Sequence, residues 1–169
     1  MIDTKRLIIR PLTLVQLLKY LRLDNSLETE LNLCESSRTI SADLKDALIQ
    51  TILPDVSDTN KNYLYSTLWT VISKAENQMV GDICFVGEPN PAGEVEIGYG
   101  THELYRNRGF MTEAVGGIIK WASEQSAIKS ILADTEKNNI ASFTILEKNN
   151  FIKVGETDTL FKWKLVLNE

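Results

Sequence analysis

Residues 105–114 place basic side chains and a glycine directly before an apolar helical pattern; they read Tyr-Arg-Asn-Arg-Gly-Phe-Met-Thr-Glu-Ala. Across residues 111–122 the apolar positions recur at spacings of three and four, which predicts an amphipathic helix. The turn before this helix would offer unpaired backbone N–H groups and the positive end of the helix dipole to an anion. Gly109 permits a positive φ and close backbone approach, while Arg106 and Arg108 add charge. The segment therefore predicts a pyrophosphate-binding turn.

Two common phosphate-binding loops do not explain this turn. A Walker loop requires the pattern G-x-x-x-x-G-K-[ST], and no such string occurs in the chain. A dinucleotide fingerprint could begin at Gly98 and Gly100, but Glu103 stands where its third glycine should fall. The remaining interpretations are another kind of phosphate-binding loop or an ordinary strand-to-helix connection with solvated arginines.

Length and composition indicate one globular domain. The chain has 169 residues, 43% of them hydrophobic, and no apolar run approaches the roughly 20 residues of a membrane span. The N-terminal segment leads into a strand-like pattern and lacks the apolar core of a signal peptide, so we expect a cytoplasmic protein without a membrane partner. A net charge of −5 disfavours general nucleic-acid binding, although it would attract a basic peptide or a polyamine.

Cysteine and histidine content argues against a disulfide framework and against a metal site. Cys34 and Cys84 are too few to staple a fold, and His102 is the only histidine. His102 follows a predicted strand beside the basic turn, where a lone histidine is usually incidental. We expect no metal.

The order of predicted elements indicates a mixed sheet of the α/β (α+β) class. The predicted strands are residues 6–11, 63–74, 79–87, 94–102, 127–134 and 160–167, and the predicted helices are residues 12–23, 41–52 and 139–149 together with the helix after Gly109. Pro54 is expected to end the second helix, and residues 55–62 to form a loop. Three consecutive strands suggest an antiparallel meander. Strand, helix and strand around Gly109 imply a right-handed crossover and one parallel pair.

The basic turn resembles the Q/R-x-x-G-x-G/A loop of the GCN5-related N-acetyltransferase (GNAT) family. Arg106 and Gly109 match its first two fixed positions, while Met111 stands where the family prefers Gly or Ala. Only the backbone amide of Met111 would need to face the phosphate, so the departure is compatible with the pattern.

Three further segments resemble the ribosomal-protein N-terminal acetyltransferase-like (RimJ/RimL-like) branch of this family, in family order. Residues 4–12 are similar to its opening strand, residues 97–99 to the strand before the loop, and residues 139–151 to its second cofactor segment. Asn150 stands where the family usually has Gly, and both residues tolerate the left-handed conformation that ends a helix. The resemblance implies a single domain over residues 1–169 with a mixed, mostly antiparallel central sheet, one parallel strand pair and flanking helices.

The resemblance implies an acetyl-CoA-dependent N-acetyltransferase that moves an acetyl group directly to a primary amine. The acceptor would be a protein or peptide N-terminus or a small-molecule amine, and a homodimer is an open alternative to a monomer. One rival interpretation is a non-catalytic acyl-CoA-binding sensor module. Another is an interaction protein whose arginines contact only an acidic partner.

The same resemblance assigns cofactor contacts. Gly100 and Thr101 would lie where their strand bulges away from its parallel neighbour, leaving backbone groups for the pantetheine and the acetyl carbonyl. Asn139 would contact the pantetheine. The remaining expected contacts belong to the basic turn: Arg106, Asn107, Arg108, Gly109, Phe110, Met111 and Thr112.

The resemblance also implies that Ser142 lies near the CoA sulfur as its proton donor. Many relatives carry a tyrosine one turn later, but Leu146 occupies that position here. A thiol with a pKa of about 8.5 can leave largely as thiolate, so a weak donor may suffice. Alternatively, Asn139 and Ser142 are spaced to form a simple helix N-cap.

Glu96 is the candidate general base. Alternation along the strand puts Glu94 and Glu96 on one face and Val95 and Ile97 on the other, and related enzymes often use a glutamate on this strand. A carboxylate with a pKa of about 4.3 matches a peptide α-amine near about 8 better than an alkyl ammonium near about 10. The chemistry thus slightly favours an α-amino acceptor, and the alternative for Glu96 is a solvated charge near a hairpin.

Overall fold

The computed structural model describes residues 1–167, whose strands form one eight-stranded sheet. The strand order is β1-β2-β3-β4-β5-β6-β8-β7. The strands are β1 (Ile2–Asp3), β2 (Leu7–Pro11), β3 (Leu68–Ser73), β4 (Gln78–Phe85), β5 (Glu94–Thr101), β6 (Ser130–Glu136), β7 (Ile152–Glu156) and β8 (Leu160–Val166).

Helices cover both faces of this sheet. They are α1 (Leu14–Arg22), α2 (Ser26–Glu30), α3 (Ala42–Ala47), α4 (Leu53–Ser57), α5 (Phe110–Ser123) and α6 (Ile140–Lys148). One hydrophobic cluster joins α5 and α6 to the sheet, and a second joins α1, α2 and the α3–α4 segment. Because side chains alternate along a strand, Ile83 enters the first cluster and Cys84 packs against the second. Within residues 1–167 no helix has the length and apolarity needed to cross a membrane.

The predicted fold class is confirmed by the strand pairing. β5 and β6 are parallel, and the other described pairs are antiparallel, including the β3–β4–β5 meander. The parallel ladder is short, with Glu94 opposite Ser130 and Glu96 opposite Leu132. Beyond it β5 continues beside β4 to Thr101, while β6 continues beside β8. One edge of residues 97–101 is thereby left without a neighbouring strand.

The prediction that Pro54 ends the second helix is wrong. Ser41 caps α3 as expected, but a π-helical turn (Leu48–Ile52) follows and leads directly into α4. In that turn the N–H of Leu53 donates to the carbonyl of Leu48, and Pro54 then falls in the first turn of α4. The helical path therefore continues through Pro54 although this residue has no N–H to donate, and the predicted loop at residues 55–62 begins only after Ser57.

Besides α4, the short elements β1, α2 and β7 were not predicted. β7 lies at the sheet edge, and its Ile152 and Val154 are both exposed, so its apolar residues do not mark a buried face. The strand predicted at residues 63–74 starts later, because Tyr63–Tyr65 forms a 3₁₀ turn before β3. The strand predicted at residues 127–134 is β6, which runs from Ser130 to Glu136.

Candidate active site

The basic turn has the backbone conformation that its sequence predicts. Gly109 precedes α5 with φ of 73°, and Asn107 has φ of 61°. In the described structure no side chain caps this helix start. The N–H groups of Phe110, Met111 and Thr112 lie in the first turn of α5, where a helix provides no partners for them. This arrangement is suited to an anion.

A groove of about 630 Å³ runs between this helix start and α6, and we call it the α5–α6 groove. Its α6 wall includes Ile140, Thr144 and Lys148. Most of the cofactor contacts expected from the sequence line the groove, namely Thr101, Arg106, Asn107, Gly109, Phe110, Met111 and Thr112. The fold therefore brings these residues together around one elongated space.

The two arginines of the turn are in different surroundings. Arg106 is exposed and lines the groove. The guanidinium of Arg108 instead pairs with Glu76 at 2.5 Å and lies 4.8 Å from the centre of the Phe110 ring. The side chain of Arg108 does not line the groove, so the structure separates this predicted contact from the others.

Arg6 organises the turn, a role that the sequence did not reveal. Its Nε donates to the carboxylate of Glu113 in α5 at 2.6 Å, and its Nη1 donates to the carbonyl of Arg108 at 3.0 Å. Thr4 also donates to Glu113 at 2.7 Å. These contacts tie the N-terminal segment to the start of α5. They could not be inferred locally because Arg6 and Glu113 are distant in the chain.

A second cavity of about 370 Å³ lies on the α1 and α3 side of the strands, and we call it the β4–β5 cavity. Thr101 and Arg106 line both this cavity and the α5–α6 groove, so the two spaces are adjacent at the end of β5. Gly100 also lines the cavity, and a Cβ at Gly100 would meet no atom within 4 Å. The β4–β5 register has no break here, so the open edge of β5 arises from the end of its ladder with β6, not from a bulge against β4.

Asp82 is a buried carboxylate in the wall of the β4–β5 cavity. Its Oδ2 accepts from the hydroxyl of Tyr20 at 2.6 Å and lies 3.1 Å from Nε2 of His102. Burial and the neighbouring Asp82 carboxylate raise the pKa of Tyr20 well above its usual value. Sequence reasoning missed this cluster and treated His102 as incidental. The available signal was Asp82 itself, a charged residue inside an otherwise apolar strand.

Glu96, the predicted base, is the last β5 residue in the parallel ladder and is half-buried. Burial raises the pKa of its carboxyl, the nearby carboxylate of Asp134 raises this pKa further, and Lys162 opposes them. Glu96 does not line the groove or the cavity. Asp134 and Lys162 pair with each other at 2.8 Å. Glu96 therefore lies where β5 and β6 begin to separate.

Asn139 and Ser142 form the helix N-cap that the sequence allowed as an alternative. The side-chain oxygen of Asn139 accepts from the N–H of Ser142 at 3.1 Å. The Ser142 hydroxyl contacts the phenol oxygen of Tyr99 at 3.3 Å, and that phenol donates to the Ser142 carbonyl at 2.9 Å. Burial raises the pKa of Tyr99 to about 12. In α6 the buried Leu146 stands where many relatives carry a tyrosine. The phenol beside Ser142 is instead that of Tyr99 in β5.

The part of the chain that the structure describes holds no group of three or more His, Cys, Asp or Glu side chains arranged around a common metal position. Cys84 lines the β4–β5 cavity, but burial raises the pKa of its thiol to about 11. This thiol is therefore protonated, and unreactive as a nucleophile, near neutral pH.

Comparisons with known proteins place these features in a family. The "Uncharacterized N-acetyltransferase YjdG" of Bacillus subtilis (strain 168) is 34% identical over 84 residues, which are 50% of this chain and 50% of that protein. The chain thus matches about half the length of this curated relative.

Solved acetyltransferase structures share the fold. One is a GNAT-family acetyltransferase from Bacillus anthracis, with 18% identity and a TM-score of 0.68 over 99% of each chain. Another is the ribosomal-protein-S5-alanine acetyltransferase from Vibrio fischeri, with 17% identity and a TM-score of 0.69 over 99% of this chain and 96% of that one. A third is RimL, a ribosomal L7/L12 alpha-N-protein acetyltransferase solved with coenzyme A, with 14% identity and a TM-score of 0.67 over 97% of this chain and 96% of that one. Residues 6–152 match the family described as Acetyltransferase (GNAT) domain, and the chain therefore belongs to the GNAT acetyltransferase family.

Proposed function

We propose that the protein is an acetyl-CoA-dependent N-acetyltransferase that moves the acetyl group directly to a primary amine. The observation that carries this proposal is the meeting of two spaces at the end of β5. The α5–α6 groove and the β4–β5 cavity share Thr101 and Arg106, so a donor bound in the first would lie next to an acceptor bound in the second. Direct transfer requires such a junction.

The uncapped start of α5 supports CoA binding. The pyrophosphate would accept hydrogen bonds from the N–H groups that follow Gly109, with Arg106 supplying charge. The pantetheine would follow the open edge of residues 97–101, and the acetyl carbonyl would be polarised by backbone N–H groups there. One such N–H directed at a developing oxyanion contributes roughly 3 kcal/mol in comparable acyl transfers. Asn139 as a pantetheine contact remains a prediction.

We propose Glu96 as the base that takes the proton of the attacking amine, through water because its carboxylate lines neither space. Its partial burial raises the pKa of the carboxyl toward that of an amine, which favours this use. Ser142 is proposed as a hydrogen-bond donor to the sulfur as it leaves. Because a thiol with a pKa of about 8.5 can leave largely as thiolate near neutral pH, no stronger acid is needed to protonate the sulfur.

The acceptor class is a primary amine, on a protein or peptide N-terminus or on a small molecule. The names of the structural relatives RimL and the S5-alanine enzyme refer to ribosomal proteins, which makes an α-amino acceptor the first substrate to test. A cytoplasmic location is a further prediction of the sequence, and a homodimer stays an open alternative to a monomer.

Calorimetry with CoA, followed by a thiol-release assay with acetyl-CoA and a panel of amines, tests the proposal. Gly109→Trp should abolish CoA binding by filling the groove. Gly87→Trp is the matched control, because Gly87 also has a positive φ but no atom lies near its Cβ position. Absence of CoA binding to the wild type would contradict the proposal. CoA binding without thiol release for any amine would support the sensor alternative.

A further inference from the structure

The position of Asp82 connects it to the point where donor and acceptor would meet. Asp82 lies directly opposite Gly100 in the β4–β5 register, and Gly100 precedes Thr101, which lines both spaces. Residues opposite each other in an antiparallel pair have Cα atoms about 4.5–5.5 Å apart. The Asp82 side chain is only 8% exposed, yet the residue lines the β4–β5 cavity. Asp82 is therefore a buried carboxylate close to the proposed transfer point.

The hydrogen bonding of Asp82 is incomplete. Tyr20 donates to its Oδ2, and Nε2 of His102 contacts the same oxygen. Its Oδ1 is buried and has no hydrogen-bond partner within residues 1–167. A carboxylate oxygen left in this state costs free energy, because water no longer solvates it and no donor replaces that water. Because Asp82 lines the cavity, a cationic ligand there would place donors and a positive charge beside this incompletely paired carboxylate.

His102 supports Asp82 and does not offer a base to the acceptor. Its Nε2 lies 3.1 Å from Oδ2 of Asp82, and its Nδ1 lies 3.2 Å from the carbonyl oxygen of Met79. Both ring nitrogens are thus directed at oxygen atoms of the protein. With both nitrogens occupied, the ring presents no lone pair to the cavity. Tyr20 and His102 together fix the orientation of the Asp82 carboxylate.

Charged side chains of both signs line the β4–β5 cavity: Asp82 and Glu103 favour a cation, and the charge of Arg106 would be neutralised by the proposed CoA pyrophosphate. A further cavity of about 380 Å³ shares Thr39, His102 and Glu103 with the β4–β5 cavity and is also lined by Glu35. Arg38 lines this outer cavity too, but its guanidinium pairs with buried Glu28 at 3.0 Å, so its charge is already compensated. An elongated acceptor could thus place its reacting head in the inner cavity and the rest of its chain in the outer one.

We infer that Asp82 binds the ammonium group of the acceptor, so that the acceptor is a primary amine recognised in its cationic form before the proton is removed. An ammonium brings three donors and a positive charge, which match a buried carboxylate whose hydrogen bonding is incomplete. This inference rests on the proposed transferase function and assigns that site its acceptor anchor. Glu96 keeps the proposed role of base, and Asp82 is a binding and specificity-determining residue.

The test compares 1-aminobutane with 1-butanol, two probes of similar shape that differ in the charged group. Each is titrated into the CoA-saturated protein and followed by ligand-observed NMR. In the wild type the amine should bind about tenfold or more tightly than the alcohol, as expected for a charge-assisted hydrogen bond. Asp82→Asn should remove that preference and leave CoA affinity within about twofold, because its carboxamide preserves shape without the charge.

Asp46→Asn, an exposed residue of α3, changes the net charge equally and should leave the preference intact. A second measurement needs no variant: the bound amine should give nuclear Overhauser effects to the ring protons of His102 and Tyr20. A wild type without preference, a preference that survives in Asp82→Asn, or absence of those effects would overturn the inference. CoA affinity is measured separately in the wild type. A wild type that does not bind CoA would contradict the proposed function instead of this inference.

Discussion

The terminal methyl group of Met111 lies 2.8 Å from the position that a Cβ on Gly81 would occupy. Met111 is only 3% exposed, so its side chain lies in the core while its backbone belongs to the first turn of α5. The GNAT loop pattern prefers a small residue at this position. The longer side chain is accommodated because β4 has a glycine beneath it, which explains how the turn departs from the pattern and keeps its shape.

Gly81→Ala should lower the free energy of unfolding by about 1–3 kcal/mol, as expected for an overpacked core. Its Cβ would stand 2.5 Å from the carbonyl oxygen of Gly100 as well as 2.8 Å from the Met111 methyl. Urea denaturation measures the change. Gly155→Ala is the control, because a Cβ at Gly155 meets no atom within 4 Å, and it should stay within about 0.5 kcal/mol.

The double variant Gly81→Ala with Met111→Ala separates the two contacts. Removing the methionine side chain relieves only one of them, since the Gly100 carbonyl belongs to the backbone of β5. We therefore expect the double variant to remain less stable than Met111→Ala alone. Equal stability of those two variants would show that Met111 is the only obstacle to a side chain at residue 81.

The acid limb of the pH–rate profile should report Glu96. If Glu96 is the base, kcat/KM for the acceptor rises with pH as this carboxyl loses its proton. Burial and Asp134 raise the pKa of Glu96, so the limb should lie above the pH expected for a solvated glutamate. Asp134→Asn removes one cause and should move the limb to lower pH. Lys162→Met removes the opposing charge and should move it to higher pH.

Glu96→Gln provides the reference for these shifts. It should lower kcat by about 10²-fold or more, a typical contribution of a general base, and abolish the acid limb. CoA affinity by calorimetry should change little, and the acceptor's own amine would give a separate limb at higher pH. An acid limb that persists unchanged in Glu96→Gln would assign the base to another group.

Local signals in the sequence predicted the donor side of the site better than the acceptor side. The turn at Gly109 and the helix after it depend on neighbouring residues, and the structure has both as predicted. Asp82, His102 and Tyr20 meet only because β4 pairs with β5 and α1 packs on the sheet, and these contacts span up to 62 positions in the chain. Neither the pairing register nor the helix packing can be read from a local pattern.

Pro54 illustrates a second limit of sequence reasoning. The rule that proline ends a helix concerns the hydrogen bond that its missing N–H would make. The π-helical turn (Leu48–Ile52) changes the register of donors before Pro54, so the chain continues into α4. No pattern in residues 48–52 predicts this π-helical turn.

The Glu28–Arg38 pair should stabilise the wall of the acceptor cavities. Both side chains are 2% exposed, and Nε of Arg38 lies 3.0 Å from Oε1 of Glu28. Glu28→Gln leaves the guanidinium buried without a counter-charge and should cost about 3 kcal/mol or more of unfolding free energy. Glu30→Gln breaks the more exposed pair with Lys19 and should cost less than about 1 kcal/mol.

Glu28→Gln should also weaken acceptor binding. Arg38 donates from Nη1 to the carbonyl of Tyr20 at 3.0 Å and stacks on its ring at 4.1 Å, and the Tyr20 hydroxyl holds Asp82. We expect Glu28→Gln to raise the KM for the amine while CoA affinity is kept. If Glu28→Gln is no more destabilising in urea than Glu30→Gln, the buried pair does not support the wall.

Asn150 ends α6 in the left-handed conformation that the sequence predicted, with φ of 63°. The N–H of Phe151 donates to the carbonyl of Leu146 and the N–H of Asn150 to that of Glu147, each at 3.0 Å, which is the Schellman pattern. Asn150→Gly removes the steric cost of a side chain there, partly offset by greater backbone entropy when unfolded.

We therefore expect Asn150→Gly to raise the free energy of unfolding by up to about 1 kcal/mol and Asn150→Ala to lower it by about 1 kcal/mol, measured by urea denaturation. The same pair of substitutions at Asn138, an exposed residue outside the left-handed region, is the control. At Asn138 glycine should be no better than alanine, because no positive φ favours it. Equal stabilities for the two Asn150 variants would mean that the left-handed conformation does not determine how well this helix end is stabilised.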